Sequence, residues 1–91
     1  MSHGALFDFQ VATCVEAIRT WLLTGTEAAL ESALYWSLDY ANARDGRAIG
    51  VFSENFTFLQ AVTKALTDQG FIAGELDFMG QSVNKVWFHC P

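Results

Sequence analysis

Few residues in this 91-residue chain have both the type and the spacing to do chemistry. His89 and Cys90 stand side by side, the pairing from which an imidazole-activated thiol nucleophile is built. They sit in an alternating run, however, and adjacent strand residues point to opposite faces, so the imidazole is turned away from the thiol. Glu75 and Asp77 share one face of a strand pattern, where a solvated sheet edge accounts for them better than a paired-carboxylate mechanism. Cys14, Cys90, His89 and His3 are four zinc-competent side chains, but no Cys-x-x-Cys or His-x₃-His unit pre-organises any two of them. The two cysteines therefore read as reduced thiols, Cys14 packed as a small hydrophobe in a helix and Cys90 at a strand end. A Gly-rich phosphate loop, a nucleophile elbow and a His-Glu-x-x-His unit are all missing from the sequence. The expectation is a protein without catalytic residues, metal ligands or cofactor.

Charge and aromatic content say more. Ten acidic side chains face five basic ones, for a formal charge of −5. Arg19, Lys64 and Lys85 are scattered, and only Arg44 and Arg47 cluster, as a solvated loop beside Asp45. This distribution argues against direct nucleic-acid binding, which needs gathered cations to neutralise phosphates. Aromatic residues make up 14% of the chain and hydrophobic ones 52%. In a domain this small, Tyr35, Trp36, Tyr40 and Trp87 exceed what one core takes in, and Trp and Tyr are favoured at protein interfaces. Acid with exposed aromatics suits a basic protein partner, charge steering the encounter and aromatic anchors slowing release. Two surfaces combine them: Glu27, Glu31 and Asp39 with Trp36 and Tyr40, and Glu75 and Asp77 with Trp87. The expected function is a non-enzymatic interaction module, an inhibitor or adaptor. Its partner would be a basic protein such as a nucleic-acid-binding one, by analogy with small phage-encoded inhibitors. The same apolar surplus would serve a homodimer.

The elements that must position these residues follow from periodicity and caps. Val11, Cys14, Val15, Ile18 and Leu22 recur at helical spacing over about Phe9–Thr24, with Asp8 as N-cap and Gly25 as stop, leaving Gln10, Glu16 and Arg19 for water. Residues 1–8 are expected to be a flexible lead-in. Thr26 can cap a second helix to about Ala43, with stripes of Leu30, Leu34, Leu38, Ala41 and of Ala29, Ala33, Trp36, Tyr40. Asp45-Gly46 marks a turn, Ala48–Phe52 a strand, and Ser53 a cap for a third helix ending before Gly70. Ile72, Leu76 and Phe78, then Val86, Phe88 and Cys90 alternate as two strands around a Gly80-Gln81-Ser82 turn, bringing Lys85 near Glu75 or Asp77. The predicted fold is a single α+β domain, α-α-β-α-β-β, whose three-stranded antiparallel sheet is backed by helices. No apolar stretch approaches the roughly 20 residues of a membrane span, and the chain start lacks a secretory pattern, so a cytoplasmic location is expected.

Tyr40-Ala41-Asn42-Ala43, Gly50-Val51-Phe52-Ser53 and Leu59-Gln60-Ala61-Val62 through Gln69-Gly70-Phe71-Ile72 carry a resemblance. In order and spacing, Leu34–His89 resembles the N-terminal domain of the small-subunit ribosomal protein numbered eight. The helix closing on Gly-Phe-Ile before a hairpin also looks like winged-helix domains. The resemblance implies helix, strand, helix, strand, strand, and as an alternative function a nucleic-acid-associated domain. That ribosomal family is basic and this chain is acidic, so no functional residue carries over.

Overall fold

A computed structural model describes residues 4–78, 80 and 83–91. It has two helices and five strands, in the order α1 (Ala5–Thr24), β1 (Trp36–Ala43), β2 (Gly46–Ser53), α2 (Phe56–Asp68), β3 (Ile72–Ala73), β4 (Asp77–Phe78) and β5 (Asn84–His89). All strand pairs are antiparallel, in the sheet order β1-β2-β5-β3, with β4 also paired to β5. The α+β class and the helix-backed antiparallel sheet are as expected; the strand count and the second helix are not.

The expected helix over Thr26–Ala43 is replaced by an irregular segment, 25–35, and by strand β1. Trp36, Leu38 and Tyr40 alternate with Ser37, Asp39 and Ala41, a period of two hidden by the alanines and leucines preceding it. Aromatic residues favour a pleated surface, and the Arg44-Asp45 turn closes two strands of eight residues each, register Ala43↔Gly46 to Trp36↔Ser53. Gly46 takes φ +129, a conformation other residues rarely adopt. Leu30 and Ala33 still pack on the core, but from the irregular segment.

Other local signals hold with shifts. Helix α1 starts a turn early, so residues 5–8 are helical and Asp8 lies inside the helix, with Gly4 at the N-cap. At the far end Gly25 is left-handed, as expected, and its N–H donates to the Trp21 carbonyl. Arg47, expected in solvent, donates from Nε to the Trp21 carbonyl at 2.7 Å and from Nη2 to that of Leu22 at 3.2 Å. It places a cation on the negative end of the helix. Asn55, not Ser53, caps α2, its Oδ1 accepting from the Phe58 N–H, while the Ser53 hydroxyl accepts from the Asn55 N–H and donates to the Tyr35 carbonyl. Gly70 ends α2 at φ +96, with its N–H on the Thr67 carbonyl and that of Phe71 on Leu66, the paired bonds of a Schellman motif.

Between the pairs Ala73↔Phe88 and Asp77↔Lys85, three residues on one side (Gly74, Glu75, Leu76) face two on the other (Val86, Trp87). This bulge breaks the alternation. Ile72, Leu76 and Phe78, expected in the core, are exposed, and Ala73 and Phe71 pack inward in their place. Gly80 has φ +83 and its carbonyl accepts from the Val83 N–H; Gln81 and Ser82 of the expected turn lie outside the described residues.

The chain thus repeats one order, a helix followed by antiparallel strands, the edge strand of the second half being broken by the bulge into β3 and β4, and the two halves join where β2 pairs with β5, from Ala48↔His89 to Ser53↔Asn84. Both helices cover one face, on Ile49, Val51, Val86 and Phe88. Phe58 is fully buried, stacked on Trp36 at 5.9 Å and meeting Tyr35 and Phe7 edge-on at 5.2 and 6.1 Å. Gln10, expected in water, is 1% exposed. Its Nε2 donates to the Ser32 carbonyl, and its Oε1 accepts from the Leu34 N–H and from Trp36 Nε1 at 2.6 Å. One side chain on α1 therefore fastens the irregular segment and the start of β1.

Gln10→Leu should cost about 1–3 kcal/mol in chemical denaturation, because it strands buried polar groups while preserving apolar volume. Leu66→Ala should cost about 2–5 kcal/mol, the range for a cavity in a packed core; a loss under about 1 kcal/mol would show that the site collapses.

Candidate functional site

Among the described residues, no further helix or strand layer covers the face of the sheet opposite the helices. Register arranges its side chains in three rows: Ser37, Phe52, Lys85 and Asp77; Asp39, Gly50 and Trp87; and Ala41, Ala48, His89 and Ile72. Alternation dictates this, since Ile49, Val51, Val86 and Phe88 must point to the helices and their neighbours must point away.

Gly50 organises the face. A Cβ there would collide with Lys85 Cε and lie 3.3 Å from Trp87 Cδ2. In the lane the glycine leaves, Lys85 crosses β2 diagonally and brings Nζ to 2.6 Å from Asp39 Oδ2 on β1. On the way the ammonium passes 4.2 Å from the Phe52 ring centroid and 4.1 Å from that of Trp87. The Lys85 side chain is only 8% exposed, whereas that of Asp39 is 46% exposed. The carboxylate therefore satisfies the ammonium from one side and water from the other, and the two rings supply a further cation–π attraction of about 0.5–2 kcal/mol each. Lys85 and Asp39 thus neutralise each other, so the net charge that this face offers to solvent is negative, from Asp77 and from Glu75 in the bulge beside it.

The structure redistributes the expected binding residues. Trp87, Asp77 and Asp39 share the outer face, although Asp39 was expected on a helix remote from the other two. Glu75 is exposed next to them. Trp87 points outward as its alternation implies, and is half-buried against Lys85. Lys85 is opposite Asp77 in register but makes its ion pair with Asp39. Trp36 is 6% exposed and stacks in the core, so it offers no surface to a partner. Tyr40 is on the inner face, edge-on to Trp21 at 5.0 Å, with its hydroxyl accepting from the Ala28 N–H. Glu27 and Glu31 are exposed on the irregular segment, not on the helix expected to carry them. Phe52 and Gly50 escaped the sequence reading. A glycine inside a strand-like run was the available signal, since it marks a place where another group crosses the backbone closely.

The remaining chemical candidates stay apart. His89 Nδ1 lies 3.0 Å from the Cys90 carbonyl oxygen, a contact to the backbone and not to the thiol. Cys90 Sγ instead points at the Leu22 carbonyl, at 3.8 Å. Among the described residues no three His, Cys, Asp or Glu side chains are grouped to hold a metal, and no helix is long and apolar enough to cross a membrane. Cys14 is fully buried, and the lost hydration of the thiolate pushes its thiol well above the ordinary range. No protein-family model, curated protein or solved structure matches this chain.

Gly50→Ala should destabilise by about 1–3 kcal/mol, the range for overpacking. Adding Lys85→Ala, which removes the obstructing Cε, should cost less than the sum of the two single changes in a double-mutant cycle. In the native state, a thiol reagent such as Ellman's should titrate one cysteine, Cys90, and reach Cys14 only on unfolding.

Proposed function

We propose that this protein is a small acidic, non-enzymatic interaction module of the cytoplasm, an inhibitor or adaptor that docks on a basic protein surface. The observation that carries the reading is the uncovered outer face. Its strand cation Lys85 is already paired, its aromatic residues Phe52 and Trp87 both pack against that ammonium, and its free charge, on Asp77 and Glu75, is acidic. A basic partner complements that charge. Asp77 and Glu75 would steer its approach, while Trp87, held in place by Lys85, would bury large area with little further loss of rotamer freedom. A nucleic-acid-binding protein, whose phosphate-binding surface is basic by necessity, is the partner class this chemistry fits best.

The test is affinity capture from the native host followed by binding kinetics at two salt concentrations. Glu75→Lys/Asp77→Lys should slow association and flatten its salt dependence, whereas Trp87→Ala should chiefly speed dissociation, by tenfold or more if the ring is an anchor worth about 1.4 kcal/mol. Unchanged kinetics in both would remove the outer face from the interface. Tight, salt-sensitive binding of the parent to free RNA or DNA would favour the nucleic-acid-associated alternative.

A further inference from the structure

The two halves differ in what lies between the helix and the sheet edge. In the first half, the space between α1 and the edge strand β1 is filled by the chain itself, through segment 25–35. Leu30 and Ala33 pack inward there, and Gln10, the sixth residue of α1, binds the segment's backbone at Ser32 and Leu34. In the second half only 69–71 connect α2 to β3, too short to double back. The corresponding space is an open groove of about 370 Å³ between α2 and the β3–β4 edge. Its apolar lining comes from Leu59, Val86, Phe56 and Leu76, and Gln60 and Thr63 stand on the helix wall. Gln60 is the fifth residue of α2, close to the place Gln10 holds in α1. Phe56 and Leu76 are 48% and 43% exposed. Lys64, also on the groove, is paired with Asp68 at 2.9 Å, so no uncompensated charge faces an occupant.

We propose that this groove seats an extended, largely uncharged segment of a partner protein, with apolar side chains spaced like Leu30 and Ala33. The segment lies along the β3–β4 edge, and Gln60 binds its backbone as Gln10 binds residues 32 and 34. The chemistry is that of a strand entering between a helix and a sheet edge, where main-chain groups supply affinity and the apolar floor supplies selectivity. The occupant is inferred from the molecule's own solution to the same geometry, because segment 25–35 shows what a helix and an edge strand in this arrangement hold between them. This surface lies on the edge and the helix layer, apart from the outer sheet face, and the inference does not rest on the function proposed for that face.

The probe is a peptide of the sequence Ala28–Leu34 with blocked ends, titrated into the isotopically labelled full chain and followed by amide chemical shifts. Binding with a dissociation constant below about 1 mM, with shifts confined to 56–67, 73–77 and the neighbourhood of Val86, is the expected result. Gln60→Ala and, separately, Leu76→Asp should each weaken it at least fivefold, with the remaining spectrum unchanged as the check on folding. No shifts at millimolar peptide, or shifts centred on α1 and β1 from exchange with the chain's own segment, would overturn the proposal. So would a parent protein that sediments as a dimer broken by Leu76→Asp, since a second copy would then be the occupant.

Discussion

Everything in this domain hangs on the antiparallel pairing of β2 with β5. Each half of the chain is a helix and a strand pair, and a lone hairpin is marginal in water. Once the inner strands pair, Ile49 and Val51 meet Val86 and Phe88 in one apolar layer under both helices, with Phe58 closed in among the aromatic rings above it. A chain of 91 residues has little surface to bury, so neither half is expected to supply a core alone.

The same pairing builds the outer face. With the apolar residues of β2 and β5 committed to the helices, the alternate positions Gly50, Phe52, Lys85 and Trp87 are forced together on the other side. Lys85 takes its counter-charge from across a strand and not from Asp77 opposite it. It reaches Asp39 because position 50 carries no side chain. The result is a cation shielded by two rings and one carboxylate, which leaves an acidic, aromatic surface where a sheet layer ends. Breaking one partner of such a part-buried pair is more damaging than the pair's net contribution suggests, because the ammonium would be left shielded from water without a counter-ion.

Polar side chains with buried reach decide the rest of the architecture. Gln10 and Arg47 fall at positions that helical periodicity and turn chemistry assign to water. Each nevertheless satisfies main-chain groups that would otherwise be orphaned: Gln10 those of the segment leading into β1, Arg47 the last carbonyls of α1. Neither role has a sequence signal. A glutamine or arginine in a polar position looks the same whether it faces solvent or a backbone more than twenty residues away.

From the sequence alone, the α+β class, the helices around Val11–Leu22 and Leu59–Leu66, the strand through Ile49 and Val51, and the helix stops at Gly25 and Gly70 were legible. All of them depend on local chemistry: a strong apolar period, and glycines where φ must be positive. The acidity of the surface was legible for the same reason, since charge is additive. Tertiary structure decided the state of residues 26–43, whose alternating and helical readings overlap until β2 demands a neighbour and selects the strand. It also decided the register Ile72↔His89, which turns Ile72 to the outer face, and the bulge at Gly74–Leu76, which breaks the alternation with one residue no periodicity announces. Finally, it decided that Asp39, Phe52, Lys85 and Trp87 meet, because cross-strand rows are set by register, and register depends on pairing between segments far apart in the chain.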